Sequence, residues 1–279
     1  MYKKYRSFLK TVSGNEGEKC LYSTRLDTYG CGCQHDCKYC YAKSLLEFRG
    51  FWRPNDPSVS DLDEIREAVK TKLKKGDIVR LGGMTDCFMP LELKLRNTYK
   101  TIKILNEYGI GYLVVTKSHI IANDEYISLM NKELAHIQIT YTCTDDNLSL
   151  KFEKASLPSQ RKMAIEKLQE KGFDVSLRLS PFIPKFIDFN VLNSIRCDKI
   201  LIEFLRVNDS IKRLFKLNYS DWTIKQSGYY HLPLEKKIEF ISRIDSFKEK
   251  SVCEDETIAY NYWKNHFNIN RFDCCNLRK

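Results

Sequence analysis

The stretch GCQHDCKYCY at residues 32–41 decides how this chain is interpreted. It places Cys33, Cys37 and Cys40 in the spacing C-x3-C-x2-C on one short loop. Three thiolates on such a loop can hold three irons of a [4Fe–4S] cluster and leave the fourth iron without a protein ligand. An external molecule can coordinate and react at that free iron. The spacing therefore predicts a metal centre that takes part in chemistry.

A zinc site is the main alternative for this loop. Structural zinc takes four nitrogen or sulfur ligands, often from two separated cysteine pairs, and no second pair lies near the first. Cys31 lies just upstream, and Cys274 and Cys275 near the far end are further thiols, although adjacent cysteines chelate zinc poorly. A disulfide framework is not favoured, because the chain is long and its eleven cysteines are an odd number. The iron–sulfur interpretation is therefore preferred.

The composition bounds the class of protein. The 279 residues, 43% of them hydrophobic, fit one large α/β domain or one domain with small additions. No run of about eighteen consecutive apolar residues occurs, so no membrane span is predicted. The first residues, MYKKYR, lack the apolar centre of a secretion signal. Together with many cysteines and an oxygen-sensitive cluster, these features predict a protein of the reducing cytoplasm.

The formal net charge of +10 raises the possibility of a nucleic-acid partner. Phosphates attract cations and unpaired bases stack on aromatic rings, so basic residues among aromatic ones are typical of nucleic-acid contact. A lysine-rich solvated surface gives the same composition, and charge alone does not identify a substrate. The two basic groups, the second with its aromatic neighbours, are Lys94, Arg96, Lys100 and Lys103, then Lys212, Arg213, Phe215, Lys216, Tyr219, Trp222 and Lys225.

The order of elements predicts the fold class. Six short β-rich runs alternate with helical segments between residues 21 and 204, which implies a parallel sheet with right-handed crossovers. Six units are too few for a full eight-stranded barrel. We predict an α/β fold, a partial (β/α)6 TIM-type barrel of parallel strands over residues 1–206, with a helical or irregular extension over 207–279 packed on it. The predicted helices include residues 61–75, 93–108, 158–171 and 234–247.

In barrels of this type the chemistry lies at the carboxyl ends of the strands. The predicted strand ends are rich in polar, small and cysteine residues, although the strands themselves are apolar. We therefore expect the functional residues among the segments 33–40, 82–86, 116–118, 140–144, 178–181 and 203–206.

The cysteine loop, with Tyr39 before its last cysteine, resembles the radical S-adenosylmethionine (SAM) superfamily. From Cys33 to about Pro184 the chain resembles a narrower group, the spore photoproduct lyase-like (DNA repair photolyase-like) family. The matching segments are the cysteine loop, GMTD at 83–86 followed by Glu92, VVTK at 114–117, and residues 152–181.

This resemblance implies two cofactors, a [4Fe–4S] cluster and SAM, whose amino and carboxylate groups bind the free iron. Electron transfer from the cluster then cleaves SAM and yields a 5′-deoxyadenosyl radical. An external one-electron reductant such as flavodoxin or ferredoxin is also implied. Such radical chemistry belongs to the cofactor, while the protein supplies binding, orientation and shielding.

The resemblance also implies which residues bind SAM at the second and third strand ends. Gly83, after another glycine, would let the backbone approach the methionyl end of SAM, since no side chain intervenes. Thr85 and Asp86 would accept hydrogen bonds from the SAM ammonium, and Lys117 would supply a cation for its carboxylate. A purely structural alternative is that Asp86 caps a helix.

Four further residues are expected at the cofactor by the same resemblance. Thr140 and Thr142, on one face of their strand, would bind the ribose hydroxyls. Arg178 would be a second cation near the SAM carboxylate or a substrate phosphate, and Tyr41 lies beside the cluster where the adenine is placed. The alternatives are that both threonines are ordinary strand formers and that Arg178 pairs with Glu153.

One position departs from the family pattern. The lyases carry a cysteine just before the Thr-Ser-Asp-like turn that returns a hydrogen atom to the product radical, and here that position is Met84. A thioether has no S–H to donate. Cys87, Cys143, Tyr39 and Tyr41 are the remaining candidate hydrogen donors or relays, although for either cysteine alone the role of a small buried hydrophobe is favoured. Spore photoproduct repair itself is therefore in doubt.

Three functional hypotheses follow. The first is a radical SAM enzyme acting on nucleic acid, by lesion repair or base modification. The second is a radical SAM enzyme acting on a peptide or small metabolite, and salt-dependent nucleic-acid binding separates it from the first. The third is a non-enzymatic zinc or iron–sulfur module, which forms no 5′-deoxyadenosine. The adjacent Cys274 and Cys275 can ligate a metal, act as a redox pair or pack, and packing or a free thiol is favoured.

Overall fold

The computed structural model describes residues 2–277, apart from the side chains of residues 15 and 16. The first residue of the predicted core and the last two of the predicted extension thus lie outside the described residues. The strands are β1 (Leu9–Thr11), β2 (Thr24–Leu26), β3 (Tyr29–Gly30), β4 (Ser58–Val59), β5 (Ile78–Leu81), β6 (Gly111–Thr116), β7 (Ala135–Tyr141), β8 (Asp174–Phe182), β9 (Lys199–Phe204), β10 (Ile224–Gln226), β11 (Tyr229–His231) and β12 (Glu249–Val252).

Short and long helices connect these strands. They are α1 (Gly14–Glu18), α2 (Tyr41–Phe48), α3 (Leu62–Lys72), α4 (Glu92–Leu95), α5 (Asn97–Tyr108), α6 (Asp124–Leu129), α7 (Asp146–Ser149), α8 (Pro158–Glu170), α9 (Phe189–Asn193), α10 (Asp209–Leu214), α11 (Leu234–Ile241) and α12 (Thr257–His266). Within residues 2–277, every helix is too short or too polar to cross a membrane.

The central sheet has eight strands in the order β1-β2-β5-β6-β7-β8-β9-β12 and does not close on itself. The run from β2 to β12 is parallel throughout, and β1 is added antiparallel to β2. The predicted partial barrel of parallel strands is therefore confirmed. The extension beyond residue 206 contributes β12, a parallel strand that the sequence did not reveal because its four residues, EKSV, are mostly polar.

Alternation along the strands separates the core from the barrel interior. On β7, Ile137 and Ile139 pack into the main hydrophobic core, whereas Gln138 and Thr140 point to the opposite face. On β8, Arg178 lies beside Thr140 in the parallel register. Strands covered on both sides are usually apolar throughout. The inner face of the sheet therefore differs from such strands in carrying buried polar side chains.

The predicted helix at residues 93–108 is broken into α4 and α5 at Arg96, whose φ is 56°. The break lets the buried Glu92 carboxylate cap the next helix, accepting hydrogen bonds from the backbone N–H groups of Thr98 and Tyr99 at 2.9 Å each. An anion at a helix N-terminus also complements the helix dipole. The periodicity of the sequence continues through the break, which is why the pattern predicted one helix.

The other predicted helices are confirmed with shifted ends. Helix α3 is capped by Asp61, whose carboxylate accepts from two backbone N–H groups, and not by Ser60, whose hydroxyl donates to the Asp27 carbonyl at 2.6 Å. Helix α8 begins at Pro158 as expected. Helix α11 ends at residue 241, six residues before the predicted end.

One side chain completes the outer edge of the sheet. The Val252 N–H donates to Asn268 Oδ1 at 2.8 Å, and Asn268 Nδ2 donates to the Val252 carbonyl at 3.1 Å. The segment after α12 thus lies along β12 where another strand would pair. At the opposite edge, the antiparallel strand β1 is only three residues long and therefore exposes little unpaired backbone.

Candidate active site

Most of the predicted site residues line a single cavity at the carboxyl ends of the strands, where the fold places chemistry. Thr142, Cys87 and Cys143 are the three predicted residues that do not line it. The predicted residues that line the cavity are Cys33, Cys37, Tyr39, Cys40, Tyr41, Gly83, Thr85, Asp86, Lys117, Thr140 and Arg178.

The cysteine loop is held by its backbone against the segment after α7. The Lys38 N–H donates to the Phe152 carbonyl at 2.9 Å, and the Lys154 N–H donates to the His35 carbonyl at 2.7 Å. Gly32 is required at the start of the loop, because a Cβ there would lie 2.0 Å from a backbone carbonyl oxygen. The loop therefore keeps its shape through backbone contacts and leaves its thiols toward the cavity.

The loop thiols fit a cluster better than a single zinc ion. Within residues 2–277, the one group of potential metal ligands whose ligating atoms all lie within 4.8 Å of one another is His231, Glu254 and Asp255. At least one pair of loop sulfurs is thus wider apart than the roughly 3.8 Å between two thiolates on a zinc ion with 2.3 Å bonds. A cluster that binds each cysteine through a different iron suits wider spacing.

Burial controls the protonation of these thiols. It raises the pKa of Cys33 to about 12 and raises the pKa of Cys37 well above its usual value, and in both cases nearby carboxylates act in the same direction. Burial also raises the pKa of Cys40, against hydrogen bonds from the start of α2. Coordination to metal deprotonates a thiol outright. Burial therefore favours the neutral thiols as long as no metal is bound.

Asp86 ties the end of β5 to the end of β6. Its Oδ1 accepts from the Thr116 hydroxyl at 2.7 Å and from the Phe88 N–H at 2.9 Å, and its Oδ2 accepts from the Lys117 N–H at 2.7 Å. His35 Nε2 lies 3.2 Å away. Burial opposes ionisation, but the His35 ring and these hydrogen bonds outweigh it and lower the pKa of Asp86 to about 2. Both oxygens are thus engaged by the protein itself.

The turn after β5 is fixed by a buried carboxylate that the sequence analysis did not select. Asp27 Oδ1 accepts from the N–H groups of Gly83 and Met84 at 2.9 and 3.1 Å. Burial raises the pKa of Asp27, against these hydrogen bonds. From the other side, the Tyr41 hydroxyl donates to the Gly83 carbonyl at 2.5 Å. Tyr41, at the start of α2, therefore joins the cysteine loop to this turn.

The same turn needs a glycine and a small polar residue. Gly82 has a φ of +86°, and a Cβ there would lie 2.5 Å from the Val115 carbonyl oxygen of β6. Thr85 donates its hydroxyl hydrogen to the Tyr29 carbonyl at 2.8 Å. The Thr85 oxygen can still accept, so its predicted role at the SAM ammonium stays open.

The two predicted cations differ in their surroundings. Lys117 Nζ lies 3.5 Å from the Ser180 carbonyl and 5.6 Å from the centre of the Tyr39 ring. Arg178 is more firmly held, because it donates to Gln138 Oε1 at 2.7 Å and forms a close ion pair with Glu203. Lys117 is therefore better placed than Arg178 to respond to an added anion.

The alternative pairing of Arg178 with Glu153 is wrong. Arg178 pairs with Glu203, and Glu153 pairs with Arg161. Burial opposes the charge on Glu203, but Arg178 and then Arg206 lower the pKa of Glu203 to about 2. The register explains the mistake, since β8 and β9 are neighbours and bring residues 178 and 203 together.

A fully buried ion pair lies beneath the cysteine loop. Arg161 forms a close contact with Glu153, and it also donates to the carbonyls of Ser156 at 2.7 Å and Thr140 at 3.1 Å. Glu153 accepts from the hydroxyl of Tyr39. Sequence analysis assigned this pair no role. The available signal was an arginine at position 161 in the stripe formed by residues 161, 165 and 168 of α8, where apolar side chains are expected.

This network also contains two of the predicted site residues. The Tyr39 hydroxyl lies 3.1 Å from Thr142 Oγ1, which places Thr142 beneath the loop and away from the cavity. Cys37 Sγ lies 3.9 Å from Glu153 Oε2. One polar network therefore supports a loop cysteine, a cavity tyrosine and the end of β7.

The candidate hydrogen-donating cysteines lie away from the cavity. Cys87 is buried in the main core, and Cys143 packs in a second apolar cluster with Phe152 and neighbouring aromatic rings. Met84 does line the cavity. Three other cysteines that received no such role, Cys20, Cys253 and Cys274, line it as well.

The aromatic residues of the second basic group are packed against the protein to different degrees. Phe215 is buried, and Trp222 donates its indole N–H to the Leu205 carbonyl at 2.8 Å. The hydroxyl of Tyr219 donates to the Phe215 carbonyl. Phe215 is thus unavailable for stacking, whereas Tyr219 and Trp222 are half-buried, and contact of this surface with nucleic acid stays a prediction.

The cavity has another basic and aromatic wall. Lys19, Lys264 and Arg271 line it, together with Phe272, whose side chain is largely exposed. Lys264 Nζ lies 5.0 Å from the centre of the Phe272 ring. Cations beside an exposed ring are therefore present where the cavity is formed by the C-terminal segment.

An unclosed parallel barrel whose inner face opens onto a three-cysteine loop defines a class of α/β proteins built around an iron–sulfur cluster. The sequence model of the Radical SAM superfamily matches residues 28–196, more than half of the chain. The chain therefore belongs to the radical SAM superfamily, a class of enzymes.

Solved structures agree with this fold. Spore photoproduct lyase complexed with dinucleoside spore photoproduct is similar with a TM-score of 0.64, 16% sequence identity, and coverage of 86% of this chain and 76% of that one. Polyhistidine-tagged anSMEcpe with bound AdoMet is similar with a TM-score of 0.51 and 11% identity, over 88% of this chain and 59% of that one. At these identities the likeness concerns the fold alone.

Two proteins are similar in sequence. One is an uncharacterized protein of Methanocaldococcus jannaschii, 26% identical over 160 residues, which are 56% of this chain and 60% of that protein. The other is an uncharacterized protein of Acidianus two-tailed virus, 23% identical over 170 residues, which are 56% of this chain and 55% of that protein. The chain thus spans less than two thirds of each.

Proposed function

We propose that this chain uses a [4Fe–4S] cluster and an external one-electron reductant, such as flavodoxin or ferredoxin, to cleave SAM to a 5′-deoxyadenosyl radical. One observation carries the proposal. Three loop thiols, a glycine turn and a lysine ammonium lie in the same cavity, at the carboxyl ends of the strands. Bound there, the two cofactors supply the electron and the radical source.

The residues of the chain bind and orient the cofactors. Cys33, Cys37 and Cys40 hold three irons. Lys117 attracts the SAM carboxylate, because its ammonium lies in the cavity and donates one long hydrogen bond, of 3.5 Å, to the Ser180 carbonyl.

The remaining predicted residues complete the SAM site. The Gly83 turn, with Thr85 and Asp86, forms the wall for the SAM ammonium, although Asp86 acts mainly by fixing the ends of β5 and β6. Thr140 and Tyr41 offer polar contacts to the ribose and adenine. Thr142 acts through Tyr39, and Arg178 acts through Glu203, so both are positioning residues. Replacing either residue should disturb the orientation of bound SAM more than the affinity for SAM.

Return of a hydrogen atom is assigned to the cavity tyrosines. Tyr39 and Tyr41 line the cavity, whereas Cys87 and Cys143 do not. Tyr39 is buried and bonded to a carboxylate, and burial together with nearby negative charge raises its pKa well above the usual value. The phenol therefore keeps its O–H at any working pH and can serve as a relay.

Anaerobic reconstitution tests the proposed chemistry. The protein should take up about four irons per chain, and after reduction it should convert SAM to 5′-deoxyadenosine. The triple variant Cys33→Ala/Cys37→Ala/Cys40→Ala should lose both properties, while Cys31→Ala should retain them. Stoichiometric zinc at the loop with no SAM cleavage would instead support the non-enzymatic module.

Nucleic acid is the proposed substrate class. The net charge is +10, and Lys19, Lys264 and Arg271 line the cavity beside the exposed Phe272 ring. A solved structure of similar fold holds a dinucleoside photoproduct. A base in a duplex must leave the stack to reach a cavity of this kind. Repair of spore photoproduct itself should be poor or absent unless the cavity tyrosines take over, because Met84 has no S–H to donate where the lyases carry a cysteine.

Binding measurements at several salt concentrations test the substrate class. On duplex DNA the log–log slope of affinity against salt should be about −0.9 for each phosphate neutralised. Lys264→Ala/Arg271→Ala should make this slope less steep, while Lys70→Ala, in the last turn of α3 and outside the cavity, should leave it unchanged. Absence of DNA or RNA binding at low salt would favour a peptide or a small metabolite.

A further inference from the structure

Arg80 is a cation of the cavity that has no role in the site described above. It lies on β5 between Val79 and Leu81, both of which are buried in the main hydrophobic core. Successive side chains of a strand point to opposite faces, so the side chain of Arg80 faces the interior of the barrel. There it lines the cavity and is partly buried.

The guanidinium of Arg80 has no protein partner in the described chain. Its Nε is buried without a hydrogen-bond acceptor, and no hydrogen bond or ion pair joins its side chain to another described residue. Glu203 acts on Arg80 through charge alone, because its carboxylate is paired with Arg178 and Arg206. Buried charges in proteins are usually paired. The partner of Arg80 is therefore expected to come from outside the chain.

Positive charge is in excess along the whole cavity. Lysine and arginine side chains outnumber carboxylates among the residues that line it. SAM does not neutralise this excess, because it bears an ammonium and a sulfonium group against a single carboxylate. A cavity that stays positive with SAM bound favours a second ligand that is an anion.

The position of Arg80 separates it from the lysine assigned to the SAM carboxylate. In the parallel register of β5 and β6, Arg80 is level with Leu113, and Lys117 follows at the end of β6. The segment from residue 113 to residue 117 spans about 13 Å of extended chain. Arg80 therefore lies closer than Lys117 to the amino ends of the strands, deeper in the barrel.

We propose that Arg80 binds a phosphate group of the substrate inside the barrel. The inference rests on the proposed function, in which the substrate is a nucleic acid, and it assigns the residue that holds one of its phosphates. A guanidinium presents several N–H donors in a planar fork that matches two phosphate oxygens. Because a strand holds Arg80, the bound phosphate has a fixed position relative to the SAM site.

The stability of Arg80→Met separates a binding role from a structural one. Methionine has a similar length and no charge. The urea midpoint of Arg80→Met should equal or exceed that of the wild type, because the substitution removes a cation that has no protein partner. Arg161→Met, which breaks a buried ion pair, should lower the midpoint. If both variants lowered it equally, Arg80 would have a structural partner and the inference would be wrong.

Equilibrium dialysis at low salt then measures binding of the 5′-phosphorylated thymidine dinucleotide to the reconstituted, unreduced protein. Arg80→Met should bind it about tenfold or more weakly, since hydrogen bonds to charged groups contribute about 1.5–3 kcal/mol. Thymidine, which has no phosphate, should not distinguish the variant from the wild type. Arg66→Met is the matched control, because Arg66 pairs with Glu107 outside the cavity, and it should bind the dinucleotide normally.

Three results would overturn the inference. Equal affinity of wild type and Arg80→Met for the dinucleotide would refute it and leave the proposed radical chemistry intact, because cleavage of SAM is measured separately. Weaker binding of SAM with unchanged binding of the dinucleotide would assign Arg80 to SAM instead. If the wild type bound no dinucleotide even at low salt, this inference and the nucleic-acid substrate would both be wrong.

Discussion

Replacement of Arg161 by methionine tests whether the buried ion pair beneath the cysteine loop holds that loop in place. Arg161 and Glu153 are both fully buried, and Arg161 also donates to two backbone carbonyls. Methionine has similar length and no charge. The substitution therefore leaves the Glu153 carboxylate without its cation and two backbone carbonyl groups without the arginine donor.

The expected cost is large. Removing one member of a buried pair costs about 3–5 kcal/mol, since the remaining charge is left without compensation. With a urea slope of about 3 kcal/mol per M, the unfolding midpoint should fall by about 1 to 1.7 M. Lys167→Met on the same helix is the matched control, because Lys167 pairs with an exposed Asp124 and should cost at most about 1 kcal/mol.

The loss of stability caused by Arg161→Met should increase with pH. Burial alone would raise the pKa of Glu153, but Arg161 and then Lys117 lower it below the ordinary value of 4.5. In the wild type this carboxylate contributes stability above pH 4.5 that is lost as the pH falls through its folded pKa. In Arg161→Met the pKa of Glu153 rises, so the folded variant takes up a proton at a higher pH than the wild type does. The cost should therefore be greatest at pH 8 and shrink toward pH 5.

Urea unfolding followed by circular dichroism, at pH 5, 6.5 and 8, measures these differences. The double variant Glu153→Gln/Arg161→Met removes both charges and should recover part of the loss. A cost below about 1 kcal/mol for Arg161→Met, or a cost that does not vary with pH, would refute the view that this pair is buried, ionised and structurally necessary.

Three more predictions concern the cavity and the sheet. Gly82→Ala should destabilise the protein more in urea than Gly76→Ala, since both have positive φ but only the first would place a Cβ against a neighbouring strand; equal losses would remove the clash argument. Lys117→Ala should weaken SAM binding about tenfold or more in calorimetry of the reconstituted protein, because hydrogen bonds to charged groups contribute about 1.5–3 kcal/mol, while Lys100→Ala should have no effect. Glu203→Gln should flatten the loss of stability as the pH falls from 4.5 toward 2, because the folded pKa of Glu203 is about 2; identical acid profiles would contradict the assigned pairing.

The sequence was most informative where chemistry requires particular residues at a short spacing. The loop of Cys33, Cys37 and Cys40 could be predicted, and so could the parallel order of the central strands, because both follow from local patterns. The barrel rule then placed Lys117 and Arg178 at strand ends without knowledge of any contact. Local pattern and barrel topology together were therefore enough to locate the cavity.

What could not be predicted depends on contacts between distant segments. The partner of Arg178 is Glu203, which only the register of β8 and β9 reveals. Asp27 supports the glycine turn from 56 residues away, and it has no neighbour in sequence that marks it. Cys253 and Cys274 both line the cavity because residues after 206 return to the sheet as β12. The mostly polar sequence of β12 did not indicate a strand.

The open sheet has two edge strands. At the edge formed by β12, the side-chain amide of Asn268 pairs with the backbone. Asn268 supplies an acceptor and a donor to the two backbone groups of Val252 that another strand would use. Exposed strand edges are templates on which other chains pair and aggregate. Asn268 occupies that position within the molecule itself. Asn268 thereby removes one position at which a strand of another copy could be added to the sheet.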